Sequence, residues 1–153
     1  MKLHTASETI SFARELEERA ARFYETLSER FPEEGETFRS FAAENKKFTA
    51  QTQRAYYSVI TDAIEGGFAF DLEADDYRFT PELTPEATYR EALRQAGEIE
   101  EKIIAFYTTA AEQSLSLMAD VPRNFKAVAK KRSHRISRLK AFIESSSEKG
   151  SRP

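Results

Sequence analysis

Two glutamates, Glu17 and Glu100, each stand seven residues before a tyrosine, Tyr24 and Tyr107, inside a motif that occurs twice. Leu16-Glu17-Glu18-Arg19-Ala20-Ala21-Arg22-Phe23-Tyr24 returns 83 positions later as Ile99-Glu100-Glu101-Lys102-Ile103-Ile104-Ala105-Phe106-Tyr107. Seven residues make two helical turns, so each glutamate shares a stripe with its tyrosine. Two such helices facing one another point Glu17 and Glu100 into a common interior, where a carboxylate requires a cation or hydrogen-bond donors. Two chemistries supply that partner: a metal ion held by oxygen ligands, or an arginine whose planar fork takes a carboxylate bidentately. Tyr24 and Tyr107 are then either core aromatics whose hydroxyls need a partner or donors to the carboxylates from behind the site.

Four helices are needed to hold these side chains. Thr5 with Glu8 reads as a capping box, and Ile10, Ala13, Ala20, Tyr24 and Leu27 follow at spacings of three and four, predicting a helix over about 6–31. Phe38, Phe41, Phe48, Thr52 and Ala55 predict a second over 36–65, ending at Gly66-Gly67. Residues 66–84 lack helical periodicity and exceed a hairpin turn, so they are expected to be a crossover connection. Thr84-Pro85 reads as the start of a third helix over 85–119, with Leu93, Ala96, Ile103, Tyr107, Ala110 and Leu117 on its stripe. Phe125, Val128, Leu139 and Phe142 mark a fourth over 122–144, leaving 145–153 as a frayed tail. Short links within each pair and one long link between helices two and three predict an all-α, ferritin-like four-helix bundle in a single domain over 1–153.

The chain resembles the rubrerythrin-like group of ferritin-like di-iron carboxylate proteins over about 8–143, on its Leu-Glu-Glu…Phe-Tyr and Ile-Glu-Glu…Phe-Tyr motifs. That resemblance implies a glutamate from each of helices one and three and a Glu-x-x-His pair from each of helices two and four. Glu17 and Glu100 match. The inward pair on helix two falls instead at Asn45 and Phe48, and that on helix four at Arg132 and Arg135. The former metal-site positions are therefore Glu17, Asn45, Phe48, Glu100, Arg132 and Arg135, with Tyr24 and Tyr107 behind them. Two carboxylates and two guanidinium groups sum to zero without metal. A divalent ion about 5 Å from a guanidinium would cost about 6 kcal/mol at an effective dielectric near 20. No cofactor is therefore expected. A rival register draws an irregular iron site from Glu17, Glu44, Glu100 and His134, but a one-residue shift turns a side chain about 100° around the helix, pointing Glu44 off the stripe of Phe41 and Phe48.

Composition narrows the remaining classes. The 153 residues contain no cysteine, which excludes disulfides, thiolate metal sites and iron–sulfur clusters. Met1 to Glu8 hold no apolar run, and no segment approaches a membrane span, so a cytoplasmic, soluble protein without a membrane partner is expected. The net charge of −3 hides an asymmetry: residues 1–120 carry 24 acidic and 13 basic side chains, residues 121–153 carry 2 and 10. The last helix is expected to complement its acidic neighbours, a balance that argues against nucleic acid. Three functions follow: a metal-free scaffold, partner-binding or small-ligand-binding bundle; an iron-dependent oxidoreductase acting on peroxide or ferrous iron through the irregular site; or anion and nucleic-acid binding by Lys126, Lys130, Lys131, Arg138 and Lys140. No nucleophile triad or phosphate loop supports other catalysis. The resemblance also implies a homodimer, with Phe12, Phe23, Phe106 and Tyr57 as candidate interface residues.

Overall fold

A computed structural model of the chain describes residues 1–60, 70–114 and 120–150. Four helices dominate: α1 (Ala6–Arg30), α2 (Gly35–Ile60), α3 (Tyr89–Gln113) and α4 (Asp120–Gly150), with two short strands, β1 (Lys2–Leu3) and β2 (Leu72–Glu73). They form an all-α bundle in which α1 packs on α2, α3 on α4, α2 on α4 and α1 on α3. The predicted capping box forms: Thr5 Oγ1 accepts from the Glu8 amide, and Glu8 accepts from the Thr5 and His4 amides. Pro32 opens a 3-10 turn over Pro32–Glu34 that leads directly into α2 at Gly35.

Four boundaries differ from expectation, among them the end of α3, which stops at Gln113 with Ser114 as its cap rather than running to 119. Thr84 does not cap α3; it closes a turn in which the Ala87 amide donates to its carbonyl at 3.1 Å. Thr88 caps α3 instead, accepting from the Glu91 amide at 3.1 Å. Proline suits the second position of a turn as well as the first turn of a helix, and Thr88 carries the Thr-x-x-Glu signature that Thr84, followed three residues on by Ala87, lacks. The fourth helix starts at Asp120 and continues to Gly150 through residues expected to fray. The expected end of helix two at 61–65, residues 66–69 of the connection, and 115–119 including Leu117 lie outside the described residues.

The connection is built, not slack. Leu3 pairs with Leu72 in a two-residue antiparallel ribbon whose brevity hides it from pattern reading, and both side chains are buried. Gln113 clasps the Asp71 backbone, accepting from its amide at 2.8 Å and donating to its carbonyl at 3.0 Å. Gln95 donates to the Thr80 and Glu82 carbonyls, and Arg30 to that of Thr84. Residues 71–82 therefore track back along α3 from Gln113 to Gln95, about 27 Å of helix.

This packing gives α1 and α3 a second buried face and overturns most of the interface assignment. Phe12, Phe23 and Phe106 are core: Phe12 meets Phe106 edge-on at 5.4 Å, and Tyr77 of the connection covers Phe106 at 5.6 Å. Tyr57 alone of the four is exposed.

Replacing Thr5 with Ala should cost about 1 kcal/mol in chemical denaturation, the usual worth of an N-cap side chain. Backbone amides of Thr5 and His4 hold the Glu8 carboxyl below its ordinary 4.5. Its contribution is therefore present above that value and is lost as pH falls through the lower folded-state pKa. Glu8→Ala should remove this component from the acid limb of the stability profile and leave the neutral-pH limb parallel to wild type.

Candidate functional site

Each repeated helix delivers its glutamate to the centre of the bundle. Glu17 and Glu100 are 1% and 0% exposed, and Arg132 and Arg135 on α4 are 0% and 2% exposed. Asn45 and Phe48 of α2 complete the group and are buried as well. All six positions singled out from the sequence converge.

Arg132 bridges the two carboxylates, with one guanidinium nitrogen on Glu17 and another on Glu100. Arg135 donates to Glu100 at 2.9 Å and to Asn45 Oδ1 at 2.6 Å from one nitrogen. From the other it reaches the Phe41 carbonyl at 3.3 Å and Glu44. Glu100 is thus held between both arginines. The tyrosines act across the bundle: Tyr24 on α1 donates to Glu100 on α3 at 2.8 Å, and Tyr107 on α3 donates to Glu17 on α1 at 3.0 Å. A tyrosine cannot reach the glutamate of its own helix, about 10 Å away along the axis. From 24 to 17 on α1 the partners run from 100 to 107 on α3, so those helices are antiparallel. Thr52 donates to Asn124 while Arg135 donates to Asn45, which makes α2 and α4 antiparallel too.

Aromatic rings enclose the cations. The Arg135 guanidinium lies 4.6 Å from the Phe41 ring centroid and 5.2 Å from that of Tyr24, and Arg132 lies 5.2 Å from Phe48. Ring faces attract desolvated cations, offsetting part of the lost hydration. Burial raises the Glu100 carboxyl, while Arg135 and the Tyr24 hydroxyl oppose that shift. Burial and the adjacent Arg135 charge pull Arg132 below the ordinary arginine value, whereas the acids around Arg135 raise its pKa. Burial also pushes both tyrosine hydroxyls upward, keeping them protonated as donors.

The rival iron register does not assemble. His134 is exposed on α4. Glu44 is 40% exposed at the rim, and its carboxylate binds Arg135. Glu44 is nevertheless part of the site, which the helical angle alone did not reveal, because a glutamate at the edge of a stripe reaches inward along its stem. The aromatic cage was legible only as a core stripe; Phe41 and Phe48, two turns apart and flanking Asn45, were its signal.

The di-iron centre implied by the resemblance does not fit this donor set. The carboxylates meet guanidinium and phenol donors, and Asn45 Oδ1 accepts from Arg135. The buried groups left without a hydrogen bond include Asn45 Nδ2, Arg132 Nε and Arg135 Nε, which are N–H donors. Surplus donors repel a cation. Among the described residues, no cluster of three or more His, Asp or Glu is placed to hold a metal.

Glu100→Ala should cost about 3–5 kcal/mol by stranding two guanidinium groups, whereas Glu101→Ala on the exposed face should stay within about 0.5 kcal/mol. Equal melting temperatures for the two variants would contradict this account of Glu100. Comparison with protein-family models, curated proteins and solved structures gives no match, so the functional reading rests on the geometry of this ion cluster.

Proposed function

We propose that this chain is a ferritin-like bundle whose interior works without metal and which acts as a non-catalytic scaffold or binding protein. The observation that carries the reading is the pair Arg132 and Arg135, which satisfies Glu17 and Glu100 where the related di-iron proteins would place ions. The topology is supported by the antiparallel pairings of α1 with α3 and α2 with α4, and by the return of residues 71–82 along α3. These directions suit a lengthwise crossover between helices two and three.

An enzymatic reading requires a group that changes state during turnover. The buried carboxylates, guanidinium groups and phenols here neutralise one another. The α1–α2 cleft beside Glu17 is a surface depression of about 280 Å³, bordered by Glu18, Arg22, Glu25, Lys46 and Thr49. It falls just below the usual range for small-ligand pockets, whereas the groove between α3 and the connection, lined by Phe79, Gln95, Ile99 and Lys102 among others, is larger at about 470 Å³ and lies within that range.

Metal loading tests this reading. Protein incubated anaerobically with excess ferrous iron and then desalted should carry substoichiometric iron and melt at an unchanged temperature. Two irons retained per chain, or a rise of several degrees, would overturn it, since tight ligands stabilise by mass action.

A further inference from the structure

The charge asymmetry of the chain resolves into two faces of one helix. Arg132 and Arg135 turn inward, while Lys126, Lys130, Lys131, Arg138 and Lys140 are all exposed. Complementing acidic neighbours therefore accounts for only two of these cations. Between Asp120 and Glu144, α4 contains no acid. Lys126, Lys130 and Arg138 follow a four-residue spacing through exposed His134, a row about 18 Å long. Exposed Lys47 and Arg54 lie two turns apart on neighbouring α2, whose acids are Glu36 and the engaged Glu44. Among the described residues none of these seven cations is in an ion pair.

We propose that the solvent face of α4 with the adjoining edge of α2 binds the phosphate backbone of double-stranded nucleic acid without reading its sequence. A duplex presents one negative charge per about 1.7 Å, a density that an 18 Å cationic row complements. The large apolar side chains exposed among the described residues are Met1 and Tyr57, neither of them on this row. The α4 row thus lacks the apolar wedge that a membrane surface takes up, the stacking aromatics that hold single strands, and the apolar centre of a protein interface; the exposed ring nearest the α2 cations in sequence is Tyr57, three residues beyond Arg54. Small side chains between the cations, Ala127, Ser133 and Ser137, leave the lysine stems free to extend toward phosphate. The acidic surface of α1 does not cancel the attraction. That helix is not among the main packing partners of α4, which are α3 and α2, and the exposed acids of α3, Glu91, Glu98, Glu101 and Glu112, are outnumbered by the seven cations of this face.

The proposal gives a partner class to the binding-protein reading without depending on the metal-free interior; iron binding would leave it standing, and its failure would leave the interior reading intact. Fluorescence anisotropy with a mixed-sequence DNA duplex of about 30 base pairs should show binding at low salt. With five phosphate contacts, log K should fall against log salt with a slope of about −4.5. Lys47→Gln, Lys126→Gln and Lys130→Gln combined should flatten the slope to about −2 and weaken binding at least about tenfold. A charge-matched variant on α1, Arg14→Gln, Arg19→Gln and Arg22→Gln, should bind as wild type does. An RNA duplex run in parallel identifies which duplex binds more tightly. No anisotropy change at about 50 mM salt, a triple α4/α2 variant that binds normally, or cationic-face-dependent binding to phosphatidylserine vesicles that duplex does not compete would each overturn the proposal.

Discussion

Charge neutrality in the dry centre of the bundle is the constraint on which the structure depends. Glu17 and Glu100 come from α1 and α3, Arg132 and Arg135 from α4, and none of the four can be buried alone. Glu100 is the hub, meeting both arginines and Tyr24. The cluster ties three helices to one height. It thereby restricts sliding of α4 along α1 and α3, because a shift of one turn would separate charges in a medium that cannot solvate them. Such a device need not raise total stability, since an apolar replacement of the whole cluster could pack equally well. Its physical effect is to penalise wrong registers.

The tyrosines extend the constraint to α1 and α3. The duplicated motif places each hydroxyl two turns from its own glutamate, and antiparallel packing delivers it to the glutamate opposite. The repeat is therefore symmetric in its acids and phenols but asymmetric in what answers them. Helix α2 supplies a neutral amide and aromatic faces, and α4 supplies two cations. Neutrality explains why: a second cationic pair at 45 and 48 would leave two positive charges unmatched, and a carboxylate there would compete with Glu100 for Arg135. Asn45 accepts from Arg135 without altering the charge.

Much of this was legible in the sequence because both signals are periodic. Burial of Glu17, Asn45, Phe48, Glu100, Arg132 and Arg135 followed from reading each helix against its apolar stripe, and the stripe holds wherever the 3.6-residue period is unbroken. Legibility failed where structure is set by contacts rather than by period. The ribbon of Leu3 with Leu72 has two residues per strand, too few for alternation to register. Phe12, Phe23 and Phe106 looked like surplus aromatics because the connection that covers part of this face has no pattern of its own. Glu44 was placed by the angle of its Cα, yet the length of its stem decides where its carboxylate rests. The start of α3 offered two Thr signals one turn apart, and only the second carries glutamate three residues on.

Helix α4 joins these themes, because one element answers opposite demands on its two faces. Inward, each guanidinium must find acceptors and rings to replace water, which ties Arg132 and Arg135 to Glu17, Glu100 and the rings of Phe41 and Phe48. Outward, lysine suits a surface that stays hydrated, its compact charge on a flexible stem requiring no fixed geometry. The residue types lean toward that division: both buried cations are arginine, while the exposed ones are Lys126, Lys130, Lys131 and Lys140 together with Arg123 and Arg138. Arg138, the exposed arginine of the row, lies 5.0 Å from the Phe41 ring, whose centroid is also 4.6 Å from Arg135. Phe41 thus contacts both an interior cation and a surface one. A charge approaching the outer face meets a helix whose azimuth is already fixed by the buried pairs, so the exterior row is presented as a rigid line rather than a swivelling one.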